Sequence, residues 1–506
     1  MKKTLLILLI CLWITMLAAA AEPALVLDDS EAQNQPVPYN LYPAPEGGYV
    51  GDVMPFVDGD ELQLYYLYDT DHNGQGYHPI YRFSTDDLRS YRDDGLMVDY
   101  GTFDAPDLAL GTGSVLKDRQ GQYHMFYTGH NDAMGALGQG RECVMHAVSA
   151  DGDHWTKLPE DTFYAEDNYS KDDFRDPFVF WNEEDNCYWL LIAGRENELG
   201  GVIAMYTSED LTEWTYDGVL YAPQAQYMLE CPDLFKMGDR YYLFYSWDCV
   251  TYYAMSDSIN GPFVAPEDNV LDGTGFVYYA AKTAEFKGKR YLCGWIGRAI
   301  QGKDVGIYRW AGNLLIHEMI QKEDGTLGVR APERLYDYFT EVVNLDSVTT
   351  FGDVTQDSNR YILKGNPGGI AILDLGPRPP TMWLEFDLTI DGNGCAGLAF
   401  GTSEDYGIYN ALAFDTVNQS IHYEGTKLAY IDEDEPIIQT HFAFEQGMSY
   451  HITVIAENEI VIVYINGTKV LSNRIFSSIN GAHICLFAKD AVVTSEAMGC
   501  RVFQPT

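Results

Sequence analysis

Basic side chains are scarce in this chain of 506 residues: 32 lysines and arginines stand against 75 aspartates and glutamates, a formal net charge of −43. A surface with this excess of negative charge repels a phosphate backbone, which excludes nucleic acid as a partner. A neutral, polyhydroxylated ligand fits the charge better. Disorder is excluded as well, because 46% of the residues are hydrophobic and 14% are aromatic, enough to bury a large core.

Cysteine motifs and long apolar runs are also missing. The eight cysteines that follow Cys11 lie far apart, with no C-x-x-C pair and no histidine at metal-ligand spacing. Beyond the first residues, no stretch reaches the roughly 18 uninterrupted apolar residues that a membrane-spanning helix needs. The sequence therefore predicts neither a metal site nor membrane insertion of the mature protein, and it leaves the oligomeric state open.

The first 21 residues are typical of a secretory signal peptide. Lys2 and Lys3 give a basic start, residues 5–17 form an apolar run too short to span a bilayer comfortably, and small residues follow at positions 18–21. We therefore predict that residues 1–21 are removed and that the mature protein is secreted.

A hairpin pattern recurs five times in the first two thirds of the chain. Each copy has a short apolar segment, a turn rich in Gly, Asp or Asn, and an aromatic strand, and a looser strand pair lies between copies. The copies recur every 50 to 65 residues, counted between Tyr66, Tyr123, Tyr188, Tyr241 and Tyr291. Propeller blades repeat at a similar, slightly shorter period. We therefore predict a five-bladed β-propeller over residues 22–335, with an ordinary β-sandwich as the alternative.

The hairpin pattern stops after residue 332, and longer strands of alternating polarity follow. Residues 383–388 and 450–455 show this alternation, residues 460–465 form a continuous apolar strand, and Asn466-Gly467 is a typical hairpin turn. We predict a C-terminal antiparallel β-sandwich over residues 336–506, so that the whole fold is all-β.

Three acidic residues occupy the same position in different repeats. Asp52 stands just before the first segment of repeat one, Asp176 before that of repeat three, and Glu230 before that of repeat four. A propeller gathers the starts of its innermost strands around one central channel, so these carboxyl groups should converge. In a partly dehydrated funnel they will not all ionise easily, and one should have its pKa raised toward neutrality.

Glycosidic bond cleavage uses two carboxyl groups of unlike pKa, because one protonates the leaving oxygen while the other attacks the sugar carbon or activates water. Arg175, next to Asp176, should keep at least one neighbour charged. Tyr279 and Trp295 are candidate stacking walls for a sugar, although aromatic residues in a propeller more often form the core between blades. The pattern therefore favours a glycoside hydrolase.

The motifs around these acids resemble glycoside hydrolase family 32, the β-fructosidases that include invertases, levanases and inulinases. Residues 175–177 read Arg-Asp-Pro and residues 230–233 read Glu-Cys-Pro-Asp, as in that family. Residues 276–283 and 294–298 look like its fifth-blade sequence, and Ser114 lies in a stretch similar to its Ser-Gly-Ser motif. The resemblance spans the mature chain, because the family also carries a C-terminal β-sandwich.

Carried over to these positions, the resemblance implies a retaining mechanism without a metal or organic cofactor. Asp52 would be the nucleophile that forms a covalent fructosyl intermediate, and Glu230 would be the general acid and later the general base. Asp176 would stabilise the transition state. The candidate substrate-binding residues are Arg175, Ser114, Tyr279 and Trp295.

The stretch around Asp52 departs from the family pattern. The family reads Trp-Met-Asn-Asp-Pro-Asn-Gly, whereas residues 49–56 keep the Asp and lack both asparagines. We therefore expect a divergent subgroup that cleaves sucrose, a fructo-oligosaccharide or a fructan. Three alternatives stay open: cleavage of another furanoside such as arabinan, transfer of fructose to a sugar acceptor, and sugar binding without catalysis.

Overall fold

The computed structural model describes residues 38–70, 76–304, 307–345, 349–401, 410–431, 436–479 and 482–503. The predicted signal peptide, residues 1–21, lies outside the described residues. The described chain is almost entirely β-structure, with two short helices, α1 (Asp132–Ala136) and α2 (Glu333–Tyr336). Within these ranges, no helix has the length and apolar character needed to cross a membrane.

The strands are numbered in chain order. The N-terminal region contains β1 (Tyr49–Asp58), β2 (Glu61–Asp69), β3 (Ile80–Thr85), β4 (Arg92–Val98), β5 (Ala109–Lys117), β6 (Tyr123–His130), β7 (Glu142–Ser149), β8 (Thr156–Lys157), β9 (Tyr169–Asn182), β10 (Cys187–Glu196), β11 (Gly200–Ser208), β12 (Thr215–Ala225), β13 (Glu230–Met237), β14 (Arg240–Trp247), β15 (Val250–Ser256), β16 (Tyr278–Phe286), β17 (Lys289–Ala299), β18 (Tyr308–Gln321) and β19 (Leu327–Arg330). The C-terminal region contains β20 (Glu341–Val343), β21 (Thr349–Phe351), β22 (Asp353–Asp357), β23 (Arg360–Lys364), β24 (Ile370–Pro377), β25 (Thr381–Asp391), β26 (Cys395–Gly401), β27 (Asn410–Asp415), β28 (Ser420–Glu424), β29 (Ile438–His441), β30 (Ser449–Glu457), β31 (Ile460–Ile465), β32 (Lys469–Arg474), β33 (His483–Lys489) and β34 (Val492–Val502).

The N-terminal strands form a β-propeller. Consecutive strands pair antiparallel in three sheets, β5 to β8, β9 to β12 and β13 to β15, while β1 to β4 and β16 to β19 share a sheet joined by the pairing of Val50 with Gly312. The first strands of these groups, β1, β5, β9, β13 and β16, contact one another in order, and β16 contacts β1, so they close a ring. The predicted all-β fold of a propeller followed by a sandwich is confirmed. The count of five blades stays a prediction, which the ring supports.

Each of the five ring strands is interrupted at the same place. Over one short segment, the ring strand carries one residue more than the strand paired with it, which is a β-bulge. A bulge disrupts the regular alternation of a strand and re-aims a side chain. The residues within the bulges are Gly51-Asp52, Thr112, Asp176-Pro177, Cys231-Pro232 and Ala280-Ala281.

The C-terminal region is an antiparallel sandwich of two sheets. One sheet has the order β22-β23-β34-β25-β30-β31-β32 with β20 beside β34, and the other has the order β21-β24-β33-β26-β27-β28-β29. Its central strands are apolar, and Ile460–Ile465 is buried along its whole length. The predicted boundary at residues 335 and 336 falls between Arg330, where β19 ends, and Glu341, where β20 begins.

Arg474 in β32 of the sandwich forms hydrogen bonds with β17, the propeller strand that carries Trp295. Its buried guanidinium donates to the carbonyl oxygens of Ile296 and Gly297 at 3.2 and 2.6 Å. The carboxylate of Glu459 accepts a further hydrogen bond, so the buried charge is paired. The sandwich therefore holds the backbone that directly follows Trp295.

Candidate active site

The Asp52 carboxyl group lies in the bulge of β1 and accepts hydrogen bonds from three neutral donors. Thr112 Oγ1 donates to Oδ2 at 2.7 Å, and the indole nitrogens of Trp295 and Trp310 both donate to Oδ1 at 3.0 Å. Burial raises the pKa of Asp52 above its ordinary value, the three donors oppose this, and the negative charge of Glu230 adds to it. Neutral dipoles therefore orient this carboxyl group.

Asp176, in the bulge of β9, is the most buried of the three acids, with 4% of its surface exposed. Its Oδ2 accepts from the backbone N–H of Cys231 at 2.9 Å. Burial raises the pKa of Asp176 to about 7; the positive charge of Arg175 opposes this rise, and the charges of Glu230 and Asp52 add to it. The three acids are therefore close enough to affect one another's protonation.

Glu230, the first residue of β13, is held by one charged and one neutral donor. Arg175 donates from Nε and Nη2 to Oε1, at 3.1 and 2.7 Å, and the hydroxyl of Tyr279 donates to Oε2. Burial raises the pKa of Tyr279 and the charge of Glu230 raises it further, so the hydroxyl keeps its proton. With 29% of its side chain exposed, Glu230 is accessible to a ligand.

Arg175 joins Glu230 to a second, buried carboxylate, Glu142. Its Nη1 donates to both oxygens of Glu142, at 3.1 and 3.0 Å, and the backbone N–H of Phe174 donates to Glu142 Oε2 at 2.9 Å. Burial raises the pKa of Glu142, but the hydrogen bond with His130 and the charge of Arg175 outweigh it and hold this pKa below its ordinary value. Glu142 therefore stays ionised and fixes the guanidinium that orients Glu230.

The predicted rise of one carboxyl pKa toward neutrality is confirmed, and it falls on Asp176. The general chemistry of glycosidases ties such a rise to the proton donor, a role that the family resemblance gives to Glu230. The rise at Asp176 has a physical reason. Asp176 is the more deeply buried, and the guanidinium of Arg175 directs its hydrogen bonds to Glu230 and Glu142.

Aromatic rings surround the same carboxyl groups. The ring of Trp295 lies 6.0 Å from that of Tyr279 and 6.1 Å from that of Trp310, measured between centroids, and Phe276 lies 5.1 Å from Tyr279. Both predicted wall residues, Tyr279 and Trp295, also donate a hydrogen bond to one of the acids. Their contact with a sugar stays a prediction.

Ser114 makes its contacts with the neighbouring ring strand. Its hydroxyl donates to Pro177 O at 3.0 Å and accepts from Val179 N at 2.9 Å, so it links β5 to β9 just beyond Asp176. Because its proton is used on this backbone carbonyl, the described role of Ser114 is to join two ring strands. The predicted contact of Ser114 with substrate stays a prediction.

Sequence reasoning did not predict three residues of this site: Thr112, Glu142 and Trp310. Thr112 stands in repeat two at the position that Asp52 and Asp176 occupy in theirs, so the register of the repeats was a signal that could have identified it. Glu142 and Trp310 lie on β7 and β18, the third strands of their groups, and belong to no motif. Only the fold brings them to the acids.

The arrangement places two chemically unlike carboxyl groups in one site. Glu230 is partly exposed and paired with a cation, whereas Asp52 is oriented by neutral donors. One can exchange a proton with a ligand oxygen while the other attacks an electrophilic carbon. Among the residues that the structure describes, no three His, Cys, Asp or Glu side chains are grouped as metal ligands.

Two family models match the chain. The model described as the glycosyl hydrolases family 32 N-terminal domain matches residues 44–330, and the model described as glycosyl hydrolases family 32 C terminal matches residues 353–500. Every residue of the site lies within the first match.

Curated relatives match over part of their length. The chain is 27% identical over 290 residues to the sucrose-6-phosphate hydrolase of Escherichia coli, which covers 52% of this chain and 56% of that protein. It is 27% identical over 198 residues to the levanbiose-producing levanase of Bacillus subtilis strain 168, which covers 36% of this chain and 34% of that protein. The chain thus spans about half the length, or less, of these relatives.

Solved structures match over nearly the whole chain. The sucrose-6-phosphate hydrolase from Lactobacillus gasseri gives a TM-score of 0.71 at 18% identity and covers 94% of this chain and 95% of its own. The exo-inulinase from Aspergillus awamori gives a TM-score of 0.71 at 16% identity and covers 94% and 99%. At these identities the likeness shows a shared fold.

Proposed function

Because this chain belongs to glycosyl hydrolase family 32, we propose that it is a retaining β-fructofuranosidase-type hydrolase. In this proposal Asp52 is the nucleophile, Glu230 is the general acid and base, and Asp176 stabilises the transition state. One observation carries the proposal: bulges in the ring strands bring together two carboxyl groups held in unlike ways, Asp52 by neutral donors and Glu230 by a cation.

The first chemical step uses both of these carboxyl groups. Asp52, oriented by Thr112 and the two indoles, attacks the anomeric carbon while Glu230 gives its proton to the leaving oxygen. The bond from the anomeric carbon to Asp52 forms as the glycosidic bond breaks, which leaves a covalent glycosyl-enzyme. Arg175 and Tyr279 hold Glu230 in place for this proton transfer.

Water completes the reaction in the second step. Glu230, now a carboxylate, takes a proton from the water as the water oxygen attacks the anomeric carbon and releases Asp52. Asp176, with a pKa raised to about 7 by burial, keeps its proton in acidic solution and can then donate a hydrogen bond to a ring hydroxyl. Above that pH it accepts one instead.

The substrate that we propose is not phosphorylated. The net charge of −43 opposes the approach of a phosphate group. Within the site, Arg175 is paired with both Glu230 and Glu142, and Lys282 Nζ donates to the carbonyl oxygen of Gly113 at 2.8 Å. These contacts favour a neutral fructoside over a sugar phosphate, the substrate class named for several relatives.

Exposed aromatic side chains near the site support a substrate longer than a disaccharide. Tyr227, three residues before Glu230, is 58% exposed, and Trp247, at the end of the strand paired with β13, is 36% exposed. An exposed aromatic ring beside the proposed general acid offers a face on which a further sugar unit can stack. We therefore include fructans such as levan and inulin among the proposed substrates.

The test is to incubate the purified mature protein with sucrose, sucrose-6-phosphate, levan, inulin and arabinan, and to measure the released sugars. We expect fructose or fructo-oligosaccharides from an unphosphorylated fructoside, and we expect Asp52→Asn to abolish the release. Release unaffected by that substitution would refute the assignment of Asp52. Products longer than the substrate would indicate fructosyl transfer.

The same experiment separates the remaining alternatives. Release from arabinan alone would replace the fructoside with another furanoside. Binding of a glycan without any release would leave a sugar-binding protein in place of an enzyme.

We also propose that the protein is secreted, because residues 1–21 have the pattern of a signal peptide. Expression in an export-competent bacterial host should yield a protein that starts at Glu22, whereas a retained Met1 would contradict secretion.

A further inference from the structure

The residue before Asp52 is a glycine, and the indole of Trp310 fills the space beside it. A Cβ atom placed on Gly51 would overlap the Cη2 atom of Trp310 and lie 2.5 Å from its Cζ2 atom, closer than real Cβ contacts allow. The same indole donates its Nε1–H to Asp52 Oδ1 at 3.0 Å. The position of this indole ring therefore depends on two consecutive residues: residue 51 leaves room for the ring because it has no side chain, and residue 52 accepts the hydrogen bond from its nitrogen.

The backbone of β18 turns Trp310 into this position. Ala311, the next residue, has a φ of 65°, a left-handed conformation that is unfavourable for a residue with a side chain. The pairing of β18 with β17 shifts register at this point, between the pair Gly297 with Gly312 and the pair Arg298 with Arg309. Such a distortion re-aims the side chain within it, which is Trp310.

The ring is also held on its sides by two aromatic neighbours. The imidazole of His78 lies 4.6 Å from it and the indole of Trp295 lies 6.1 Å from it, measured between centroids. Trp295 donates to the same Oδ1 atom of Asp52, and Thr112 donates to the other oxygen, Oδ2. Donors on both oxygens fix the plane of the carboxyl group.

We propose that Trp310 is a positioning residue for the nucleophile Asp52, and that residue 51 is glycine because the Trp310 ring occupies the place of a side chain there. This inference rests on the proposed function, in which Asp52 attacks the anomeric carbon. It adds a residue on β18, 258 positions from Asp52 along the chain, that holds the attacking group through a hydrogen bond.

The kinetic test compares Trp310→Phe, which keeps an aromatic ring but removes the N–H, with Gly51→Ala, which displaces the ring. We expect each to lower kcat about tenfold with little change in KM, because the carboxyl group of Asp52 is then less firmly oriented for attack on the anomeric carbon. The acid limb of the pH profile of kcat/KM should move to higher pH, since a donor that favours ionised Asp52 is gone. The other charges facing Asp52, those of Glu230 and Asp176, are unchanged.

The double variant tells a shared hydrogen bond from two unrelated defects. If Gly51→Ala and Trp310→Phe act through the same N–H, the kcat of the double variant should lie within about twofold of the kcat of the less active single variant. Multiplying effects would overturn the inference, as would a Trp310→Phe enzyme with unchanged kcat and acid limb. Trp383→Phe is the matched control and should leave the kinetics unchanged, because the indole nitrogen of Trp383 has no hydrogen-bond partner among the described residues.

Nuclear magnetic resonance gives a readout that does not need activity. Labelling tryptophan with ¹⁵N resolves the indole N–H signals, and each tryptophan-to-phenylalanine variant assigns one of them by its loss. Asp52→Asn should shift the signals of Trp310 and Trp295 and leave that of Trp383 in place. If the Trp310 signal does not respond, the inference is wrong even where the glycan assay succeeds; if it responds while no glycan is cleaved, only the proposed function is wrong.

Discussion

The ring strands of the propeller and the ladder from β25 through β30 to β31 in the sandwich are both antiparallel β-structure, but they differ in regularity. The sandwich has a bulge of its own in β34, opposite β25, outside this ladder. In the sandwich, β25 and β30 pair without interruption from Thr381 with Glu457 to Thr389 with Ser449. In the propeller, every ring strand contains a bulge, and three of the bulges hold a residue with positive φ. These residues are Asp176, Cys231 and Ala280, at 65°, 53° and 53°.

The contrast shows that the side chains of the proposed active site lie where the strands are irregular. A strained backbone residue costs roughly 1–3 kcal/mol, so it persists where the surrounding structure and function require it. The bulges of the ring strands contain Asp52, Asp176 and the Thr112 donor, whereas the unbroken ladder from β25 through β30 to β31 buries apolar side chains. In the proposed function, the bulged ring strands therefore supply the reacting groups, and the apolar ladder of the sandwich supplies stability.

The largest expected effect comes from the carboxyl group that attacks in the proposed reaction. Asp52→Asn should lower kcat by about 10⁴-fold, because a neutral amide is a poor nucleophile. Asp387→Asn makes the same change on β25 of the sandwich, far from the proposed active site in the chain, and should keep kcat/KM within about twofold. Sugar-release assays on both variants, with circular dichroism to verify folding, measure this difference. Equal losses of activity in the two variants would contradict the assignment of the reaction to the bulge of β1.

The second effect is a pH dependence of stability that belongs to the bulge of β9. Folded Asp176 keeps its proton up to a pKa of about 7, while in the unfolded chain it ionises near pH 4. Its contribution to stability is therefore complete at low pH and is lost as pH rises toward 7, so the free energy of unfolding has a negative slope against pH in this range. Urea unfolding at pH 5, 6 and 7 should show this slope in the wild type relative to Asp176→Asn. Parallel curves for the two proteins would contradict it.

A third effect concerns a fully buried side chain in the sandwich. Ile462→Ala in β31 should lower the free energy of unfolding by about 3 kcal/mol, because it removes apolar contacts and leaves a cavity in a regular core. At temperatures where the variant is folded, kcat should stay within about twofold of the wild type. A tenfold loss of kcat in the folded variant would show that the sandwich core also governs the reaction.

The smallest expected effect comes from the residue that fixes Arg175. Glu142→Gln removes the negative charge opposite the guanidinium and should lower kcat/KM about tenfold, because Glu230 is then less firmly oriented. Glu457→Gln is the matched change in the sandwich, where the buried carboxylate accepts backbone hydrogen bonds from Leu41 and Tyr42. It should lower the melting temperature and leave kcat/KM unchanged. Kinetics and thermal melting on both variants distinguish the two roles.

Much of this difference between the propeller and the sandwich can be predicted from the sequence. The apolar, β-branched run of residues 460–465 and the Asn466-Gly467 turn predict a regular strand and hairpin, which β31 and β32 form. The aromatic hairpins predict the propeller, and the common register of Asp52, Asp176 and Glu230 predicts that they meet. Strand periodicity and turn residues are local properties, so these features could be derived without coordinates.

The details of the site could not be predicted in the same way. Ser114 stands in a motif, yet its hydroxyl bonds to backbone groups of β9. Glu142 stands in no motif, yet it fixes Arg175. A side chain's partners depend on which strand lies opposite and on where a bulge turns the chain, and neither is encoded in the residue's immediate neighbours.

The sequence by itself determined the fold class, the repeat and the three acids in register, because each of these follows from short-range patterns of polarity and turns. Only the tertiary structure decided which neutral donors hold Asp52. Thr112, Trp295 and Trp310 lie 60, 243 and 258 positions away from it along the chain. Trp295 and Trp310 reach this carboxyl group because the last strand group joins the first through the pairing of β18 with β1, and Thr112 reaches it because β5 lies beside β1.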